Sequence, residues 1–273
     1  MKNAKLGYQV YSARDDAAKD LLGVLKQIKA MGYDGVEMAG LYGHTAREVR
    51  AMLDEVGLVA ISAHIAMADT DWGMLRDVAD AAELGCKYVA IPFLNEHDRP
   101  GAVGFADTIA RIGKYSRLLA EAGIQLLYHN HDFEFVDVCG MYGLDFMYSA
   151  IDEKTLKTEL DMCWVKYAGQ DPAAYLRKYA GRCPVVHLKD FVGVKGEDSP
   201  YALLAADGKD DDSNGKQVAF EFRPVGYGCQ NIPEIVEAGL ESGAQWFIVE
   251  QDMSVGRPAL EAAKMSADYV NAI

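Results

Sequence analysis

The feature that most constrains the fold is a regular alternation of short apolar runs with amphipathic helical patterns. Eight strand-like runs alternate with eight helical ones, and no linker rich in Pro, Gly or Ser separates them. The runs cover residues 6–11, 35–38, 58–64, 88–92, 124–127, 158–162, 184–189 and 246–250. This pattern predicts an α/β protein with one (β/α)8 TIM barrel over residues 1–273. An open doubly wound sheet is the fallback, but no GxGxxG follows the first run.

The helical patterns carry local signals for where helices begin and end. Thr45 and Glu48 form the pattern of a capping box, and Gly57 is placed to end that helix. The predicted helices begin at Ser12 and then cover 45–56, 71–84, 105–122, 144–150, 172–179, 232–240 and 258–270. Residues 190–230 break the rhythm after the seventh strand. They are too long for an ordinary βα loop and predict an excursion, with a surface hairpin ending in 218–223 and a solvated turn at 207–216.

Composition excludes several classes of partner. The 273 residues carry 27 Lys and Arg against 41 Asp and Glu, a formal net charge of −14. Nucleic acid and anionic membranes are therefore not expected partners, because binding either depends on basic residues. The five cysteines are scattered without a CxxC, which suits a reducing compartment. With no apolar leader and no apolar stretch near the roughly 20 residues of a membrane helix, the expected location is cytoplasmic.

Polar side chains follow the apolar runs at the predicted strand ends, and the densest group is 128–135, YHNHDFEF. His129 and His131 alternate, so they would share a face of an extended strand. Because barrel active sites lie at the carboxyl ends of the strands, these polar residues should converge on one rim. The set comprises Glu37, His64, His129, His131, Glu134, Asp161, His187, Lys189 and Glu250.

Carboxylates and imidazoles around one open position are suited to a divalent cation such as Mn, Mg, Co or Zn, which would also relieve repulsion between the carboxylates. Such a cation can polarise a carbonyl and acidify the adjacent C–H. Lys189 could neutralise a developing enolate oxygen, or it could pair with Asp190 or Glu221. The structural alternatives are that Asp161 caps the next turn, that His187 is a core histidine and that Glu250 pairs with Arg257. For substrate contacts, the candidates are Glu37, His64, Trp164 and Arg223.

At these residues the chain resembles the xylose isomerase-like TIM barrel superfamily of sugar phosphate isomerases and epimerases. The matching segments are GYDGVEM at 32–38, SAH at 62–64, YHNHDFEF at 128–135, ELDMCW at 159–164, VVHLKD at 185–190, PVGYG at 224–228 and IVEQD at 248–252. The resemblance implies one divalent metal, with manganese favoured, held by Glu, Asp, His and Glu from successive strands. Asp161, His187 and Glu250 match three of these positions, and Glu250 would also shuttle the proton.

The first ligand departs from the family pattern. Epimerase members carry Glu followed by Asn at the end of the fifth strand, where this chain has His129 and Asn130. Glu134 resembles the ligand of members with a histidine-rich fifth strand, which include inosose dehydratases and lyases of 3-keto sugars and glycosides. The resemblance therefore implies the metal ligands Glu134, Asp161, His187 and Glu250, with His129 or His131 as acid or base.

The residues predict metal-assisted abstraction of an α-proton to give a metal-stabilised enediolate, and the resemblance implies that the enzyme is a sugar isomerase or epimerase of carbohydrate metabolism. One alternative is a dehydratase or lyase that eliminates a β-hydroxyl or glycosidic group from a keto-sugar or inosose. A third is a catalytically inactive sugar-binding barrel. Apurinic endonucleases of the superfamily would need three zinc ions and basic grooves, which the acidic charge and six histidines disfavour. The expected partner is a small sugar or keto-sugar, and a homo-oligomer stays open.

Overall fold

A computed structural model describes residues 5–194 and 220–273. Within them the strands are β1 Lys5–Gln9, β2 Gly35–Met38, β3 Val59–His64, β4 Tyr88–Ile91, β5 Gln125–His129, β6 Asp137–Val138, β7 Met141–Tyr142, β8 Lys157–Asp161, β9 Val185–Leu188, β10 Asp190–Gly193, β11 Phe220–Arg223 and β12 Trp246–Val249. Eight of them close into a parallel barrel in the order β1-β12-β9-β8-β5-β4-β3-β2. The predicted (β/α)8 barrel is confirmed.

The helices surround the barrel. They are α1 Arg14–Ala30, α2 Ala46–Val56, α3 Asp71–Leu84, α4 Phe105–Glu121, α5 Gly143–Ala150, α6 Met162–Tyr167, α7 Pro172–Lys178, α8 Ile232–Glu241 and α9 Ala259–Ala272. The capping box at Thr45 is present, and Gly57 ends α2 with a left-handed φ of 74°. Helix α6 was not predicted because it begins directly at the end of β8, with no loop to mark it. Among the described residues, no helix has the length and apolarity needed to cross a membrane.

The barrel interior changes from apolar to polar along the strand direction. A cluster of buried side chains fills the lower interior and consists of Ile61, Tyr88, Ala90, Leu127, Val185, Trp246 and Ile248. A larger apolar layer packs the outside of the strands against the helices. Because both faces of the strands are covered, the polar side chains at the carboxyl ends are buried as well.

A bulge on β3 turns extra side chains towards the interior. The pairing register between β2 and β3 shifts so that Ile61 has no partner on β2. Ile61 packs inside the barrel, and the next residue, Ser62, donates a hydrogen bond to Glu37. The strand alternation is thereby shifted by one residue, and His64 faces inward as well.

The two ends of the excursion after β9 are held together by strand pairing and hydrogen bonds. Strands β10 and β11 pair antiparallel, with Asp190 opposite Arg223, which agrees with the predicted hairpin end. The buried Asp190 carboxylate accepts hydrogen bonds from four backbone N–H groups, those of Phe191, Gly226, Gly228 and Gln230. The predicted turn at 207–216 lies outside the described residues.

Candidate metal centre

Four side chains from neighbouring strands bring their ligand atoms within 4.8 Å of one another at the barrel mouth. His129 ends β5, Asp161 ends β8, His187 lies in β9 and Glu250 follows β12. All four side chains are buried. His187 Nδ1 lies 2.8 Å from Glu250 Oε2, and His129 Nε2 lies 3.6 Å from Asp161 Oδ2 and 3.9 Å from the same Glu250 oxygen. We call these four residues the ligand group.

The ligand group fits a divalent metal by its spacing and its donors. Ligands roughly 2.0–2.2 Å from a tetrahedral ion lie about 3.4 Å apart, which falls within the observed separations. Asp161 Oδ2 is buried without a hydrogen bond of good geometry from the described residues, and it lies 3.1 Å from the Lys189 ammonium, so this oxygen already faces a positive charge. Two imidazoles and two carboxylates are a mixed donor set of the kind that suits Mn, Co or Zn.

Glu134 lies outside the ligand group. Its Oε1 accepts a hydrogen bond from the Tyr128 hydroxyl at 2.6 Å, and its Oε2 accepts one from the backbone N–H of His131 at 2.7 Å. Strand β5 continues to His129, and the chain then turns back through a 3-10 turn that points Glu134 at Tyr128. The structure therefore brings together three of the four predicted ligands and places His129 where Glu134 was expected. Burial raises the pKa of the Glu134 carboxyl to about 8.

The two oxygens of Asp161 have different surroundings, so the helix cap and the predicted ligand position are compatible. Its Oδ1 accepts hydrogen bonds from the backbone N–H groups of Cys163 and Trp164 and so caps α6. Its Oδ2 faces the ligand group. The cap fixes the carboxylate, so that one oxygen is held ready for a cation.

Two further carboxylates, Glu37 and Glu159, lie behind the ligand group, and we call them the inner pair. His64 Nε2 joins them, at 2.9 Å from Glu37 and 2.7 Å from Glu159. His129 Nδ1 lies 3.2 Å from Glu159, and His187 Nε2 lies 2.8 Å from Glu37. His129 and His187 thus face the inner pair with one nitrogen and the ligand group with the other. Carboxylates in this position orient metal-binding histidines and fix their tautomers.

Glu37 has no oxygen free for a sugar hydroxyl. It is fully buried, Oε1 accepts from Ser62 Oγ, and Oε2 accepts from Gln9 Nε2 at 2.7 Å. Burial by itself would raise the pKa of Glu37, but His64 and His187 hold it well below its usual range. In this structure Glu37 contacts His64 and His187, and its predicted contact with a substrate stays a prediction.

His64 is held by the inner pair and also lines a cavity of about 240 Å³ between β2, β3 and α3. Burial would lower the pKa of His64, but Glu37 and Glu159 together raise it to about 10. His64 is therefore a cation that balances two buried carboxylates, with part of its surface on a cavity.

Lys189 places an ammonium group against the ligand group. Its Nζ lies 3.1 Å from Asp161 Oδ2, 3.0 Å from Glu250 Oε2 and 3.0 Å from Asp252 Oδ2. Its predicted alternatives, ion pairs with Asp190 or Glu221, are not among its contacts in the described residues. Burial would lower the pKa of Lys189, but the three carboxylates hold it well above its usual range. The group is therefore charged and available to stabilise an anionic oxygen.

His131 and Trp164 form an aromatic wall with Phe133 and Phe220. The His131 ring stacks on Phe133 and on Trp164, each with a centroid distance of 5.3 Å. Trp164 is fully buried, and Phe220 stacks on it at 5.9 Å, so it supports His131 and does not offer a free face to a sugar. Burial, aided by Lys189, lowers the pKa of His131 well below its usual range, which keeps the imidazole neutral.

Two further predictions concern Arg223 as a substrate contact and an ion pair between Glu250 and Arg257. Arg223 pairs with Glu221 at 2.8 Å on β11 and is partly exposed. Glu250 bonds to His187 and Lys189, and Arg257 instead contacts the sulfur of Met265.

Two buried carboxylates of the site, Glu159 and Asp252, were missed by the sequence reasoning. Each lies two residues from a predicted ligand, Asp161 and Glu250 respectively, and therefore on the same side of the extended chain. This spacing of two residues from a predicted ligand is the sequence signal that could have identified both carboxylates.

The fold recurs in solved structures of low sequence identity. A sugar phosphate isomerase/epimerase from Parabacteroides distasonis ATCC 8503 superposes with a TM-score of 0.77 at 22% identity, covering 99% of this chain and 94% of that one. A probable 3-DHS dehydratase, AsbF, from Bacillus anthracis gives 0.73 at 15% identity and 98% coverage of both chains. A D-allulose 3-epimerase from Methylomonas sp. gives 0.68 at 12% identity, with 99% and 98% coverage. A comparison with curated proteins gives no match.

The sequence itself matches one family along most of its length. The match extends over residues 25–273 and includes every side chain of the ligand group and the inner pair. The predicted resemblance is thus confirmed, and the chain belongs to the xylose isomerase-like TIM barrel family.

Proposed function

We propose that this protein is a divalent-metal-dependent enzyme of the sugar isomerase or epimerase type, which moves a proton at a carbon next to a carbonyl of a sugar or keto-sugar. The observation that carries the proposal is the convergence of His129, Asp161, His187 and Glu250 at the barrel mouth. The epimerases among proteins of the same fold support it. A bound metal, with Mn²⁺ favoured, would polarise the substrate carbonyl and acidify the neighbouring C–H.

The chain supplies two candidate bases for the proton transfer. His131 is a neutral imidazole and can accept a proton. Glu250 is the second candidate base, because a carboxylate beside the carbonyl can shuttle a proton between neighbouring carbons. The Lys189 ammonium lies 3.0 Å from Glu250 and can donate a hydrogen bond to an oxygen that becomes negative.

A dehydratase or lyase is the second candidate, and one observation favours it. The site contains both a neutral base, His131, and a charged donor, Lys189, so one group can remove the α-proton while the other assists a departing β-oxygen. The probable dehydratase of the same fold is consistent with this outcome.

The proposal is tested by incubating the Mn²⁺-loaded protein with ketoses, inososes and 3-keto glycosides in deuterated water and following the reaction by NMR. Deuterium entering carbon without loss of a group identifies an isomerase or epimerase, and an enone or a released aglycone identifies a lyase. Binding of a sugar without turnover or exchange would contradict both and identify a binding barrel.

Glu250→Gln should lower turnover by roughly 10²–10⁴-fold, because it removes a metal-binding carboxylate that is also a candidate base. Glu261→Gln, on the exposed face of α9, is the matched control and should keep full activity. Equal rates in the two variants would exclude the ligand group as the reaction centre.

A further inference from the structure

The Lys189 ammonium contacts three carboxylates, of which only two belong to the ligand group. Asp161 and Glu250 belong to the ligand group, whereas Asp252 does not. A second cluster of described residues could also hold a metal, and it consists of His64, His129, Glu159 and His187, again without Asp252. The Oδ2 atom of Asp252 nevertheless lies as close to Lys189 as Glu250 does, at 3.0 Å. A cation entering the ligand group would compete with Lys189 for Asp161 and Glu250, but not for Asp252.

Lys189 cannot leave the site for solvent when a metal arrives. Its side chain is 2% exposed, and Nζ lies 5.3 Å from the ring centroid of Trp164 and 5.6 Å from that of Phe222. An ammonium group held in such surroundings needs a carboxylate partner, because an unpaired buried charge is very costly. Asp252 is itself buried, and Arg14 Nη1 fixes its backbone by donating to its carbonyl oxygen at 2.7 Å.

Lys189 and its three carboxylate partners do not balance in charge by themselves. Asp161, Glu250 and Asp252 carry three negative charges and Lys189 carries one positive charge, which leaves two negative charges in a buried space. One divalent metal neutralises them. If Asp252 carried no charge, a divalent metal and Lys189 would bring three positive charges against the two negative charges of Asp161 and Glu250. The buried site would then have a net charge of plus one.

We propose that Asp252 is a positioning residue that holds the Lys189 ammonium beside the ligand group, so that Lys189 and a divalent metal occupy the site together. This inference rests on the proposed metal centre. The new element is that the ion pair between Lys189 and Asp252, which does not bind the metal, controls the metal affinity. Lys189 then stays within reach of the substrate oxygens after the metal has bound.

The proposal is tested by calorimetric titration of chelator-treated, full-length protein with MnCl₂. The wild type is compared with Asp252→Asn, with Lys189→Met and with the double variant. Asp252→Asn should weaken Mn²⁺ binding by about ten- to hundredfold, because Lys189 then remains on the ligand carboxylates. Lys189→Met should tighten binding, because it removes a competing cation. The double variant restores the charge balance and should bind within about threefold of the wild type. The exposed pair Lys264 and Asp268 provides the control variants Lys264→Met and Asp268→Asn, which should not change the affinity.

The order of affinities separates this role from a merely structural one. If Asp252 only supported the fold, the double variant would bind as weakly as Asp252→Asn, and that result would overturn the proposal. Weaker binding in Lys189→Met would overturn it too, even if Asp252→Asn failed to fold, which circular dichroism would reveal. A wild type that bound no Mn²⁺ would refute the metal centre itself, whereas a wild type that bound Mn²⁺ with unchanged variants would refute only the role of Asp252.

Discussion

At the scale of single residues, the site consists of charges that determine one another's state. Burial raises the pKa of Glu134 and of Asp252, the latter to about 6, whereas Glu250 is held below its usual range by Lys189 and His187 in spite of its burial. Glu134 differs from the others because its contacts are a hydroxyl and a backbone N–H. No cation is among these contacts, so no positive charge offsets the effect of burial, which raises the pKa of its carboxyl group.

Glu134 should therefore make folding depend on pH. Its folded pKa of about 8 lies above the ordinary value of 4.5, so the folded state keeps a proton that the unfolded state releases between these values. The contribution to stability is complete below pH 4.5 and is lost as pH rises to 8, at about 1.4 kcal/mol per pH unit. Glu134→Gln is neutral at every pH and should gain stability relative to the wild type over this range.

Urea unfolding between pH 5 and 8.5 measures this difference. The exposed variant Asp268→Asn is the control and should follow the wild-type pH dependence. A constant difference between Glu134→Gln and the wild type across the range would show that the carboxyl group is already ionised at pH 5.

At the scale of secondary structure, the bulge on β3 depends on glycines in the neighbouring strands. A Cβ atom on Gly7 would lie 2.5 Å from Ile61 Cδ1, and one on Gly35 would lie 2.6 Å from the Val59 carbonyl oxygen. The two glycines leave the room that Ile61 fills inside the barrel. The bulge that turns His64 inward is thus accommodated by the absence of side chains on β1 and β2.

Gly35→Ala should destabilise the protein by roughly 1–3 kcal/mol, because the added methyl group meets a backbone carbonyl that can move only with its strand. Gly113→Ala in α4 is the matched control. Its Cβ would meet nothing closer than 3.8 Å, and alanine should stabilise the helix by about 0.5–1 kcal/mol. The free energies of unfolding of the two variants check both signs, and equal effects would contradict the packing argument.

The sequence predicted elements well wherever the signal was local. The capping box at Thr45, the glycine after α2 and the range of α3 are all as expected, because each depends on neighbouring residues. Glu134, a predicted ligand, lies outside the ligand group because its side chain follows a tertiary hydrogen bond from Tyr128, which the sequence pattern does not indicate. The register shift at Ile61 also escaped prediction, since a bulge is defined by pairing with another strand.

At the scale of the whole molecule, the ligand group brings together side chains from four adjacent strands on one side of the barrel. Its members come from β5, β8, β9 and β12, which are consecutive neighbours in the closed sheet. A metal bound there would link four strands that are otherwise joined by backbone hydrogen bonds. Metal binding should therefore stabilise the barrel against global unfolding.

Mn²⁺ should raise the melting temperature of the chelator-treated protein, and a concentration of 100 times the Kd corresponds to about 2.7 kcal/mol. Asp161→Asn should lose most of this increase, because it removes the charge of one ligand. Differential scanning calorimetry with and without Mn²⁺ measures the effect. An increase of the same size in the wild type and in Asp161→Asn would place the stabilising metal elsewhere.

Asp190 holds together the two ends of the excursion after β9. The four amide hydrogen bonds to Asp190 fasten the chain on both sides of residues 195–219 next to Lys189, and they use no atom from inside that stretch. The donors are main-chain amides, so these bonds do not depend on which side chain each donor residue carries. Asp190 thereby anchors the neighbouring lysine at the barrel mouth through the backbone alone.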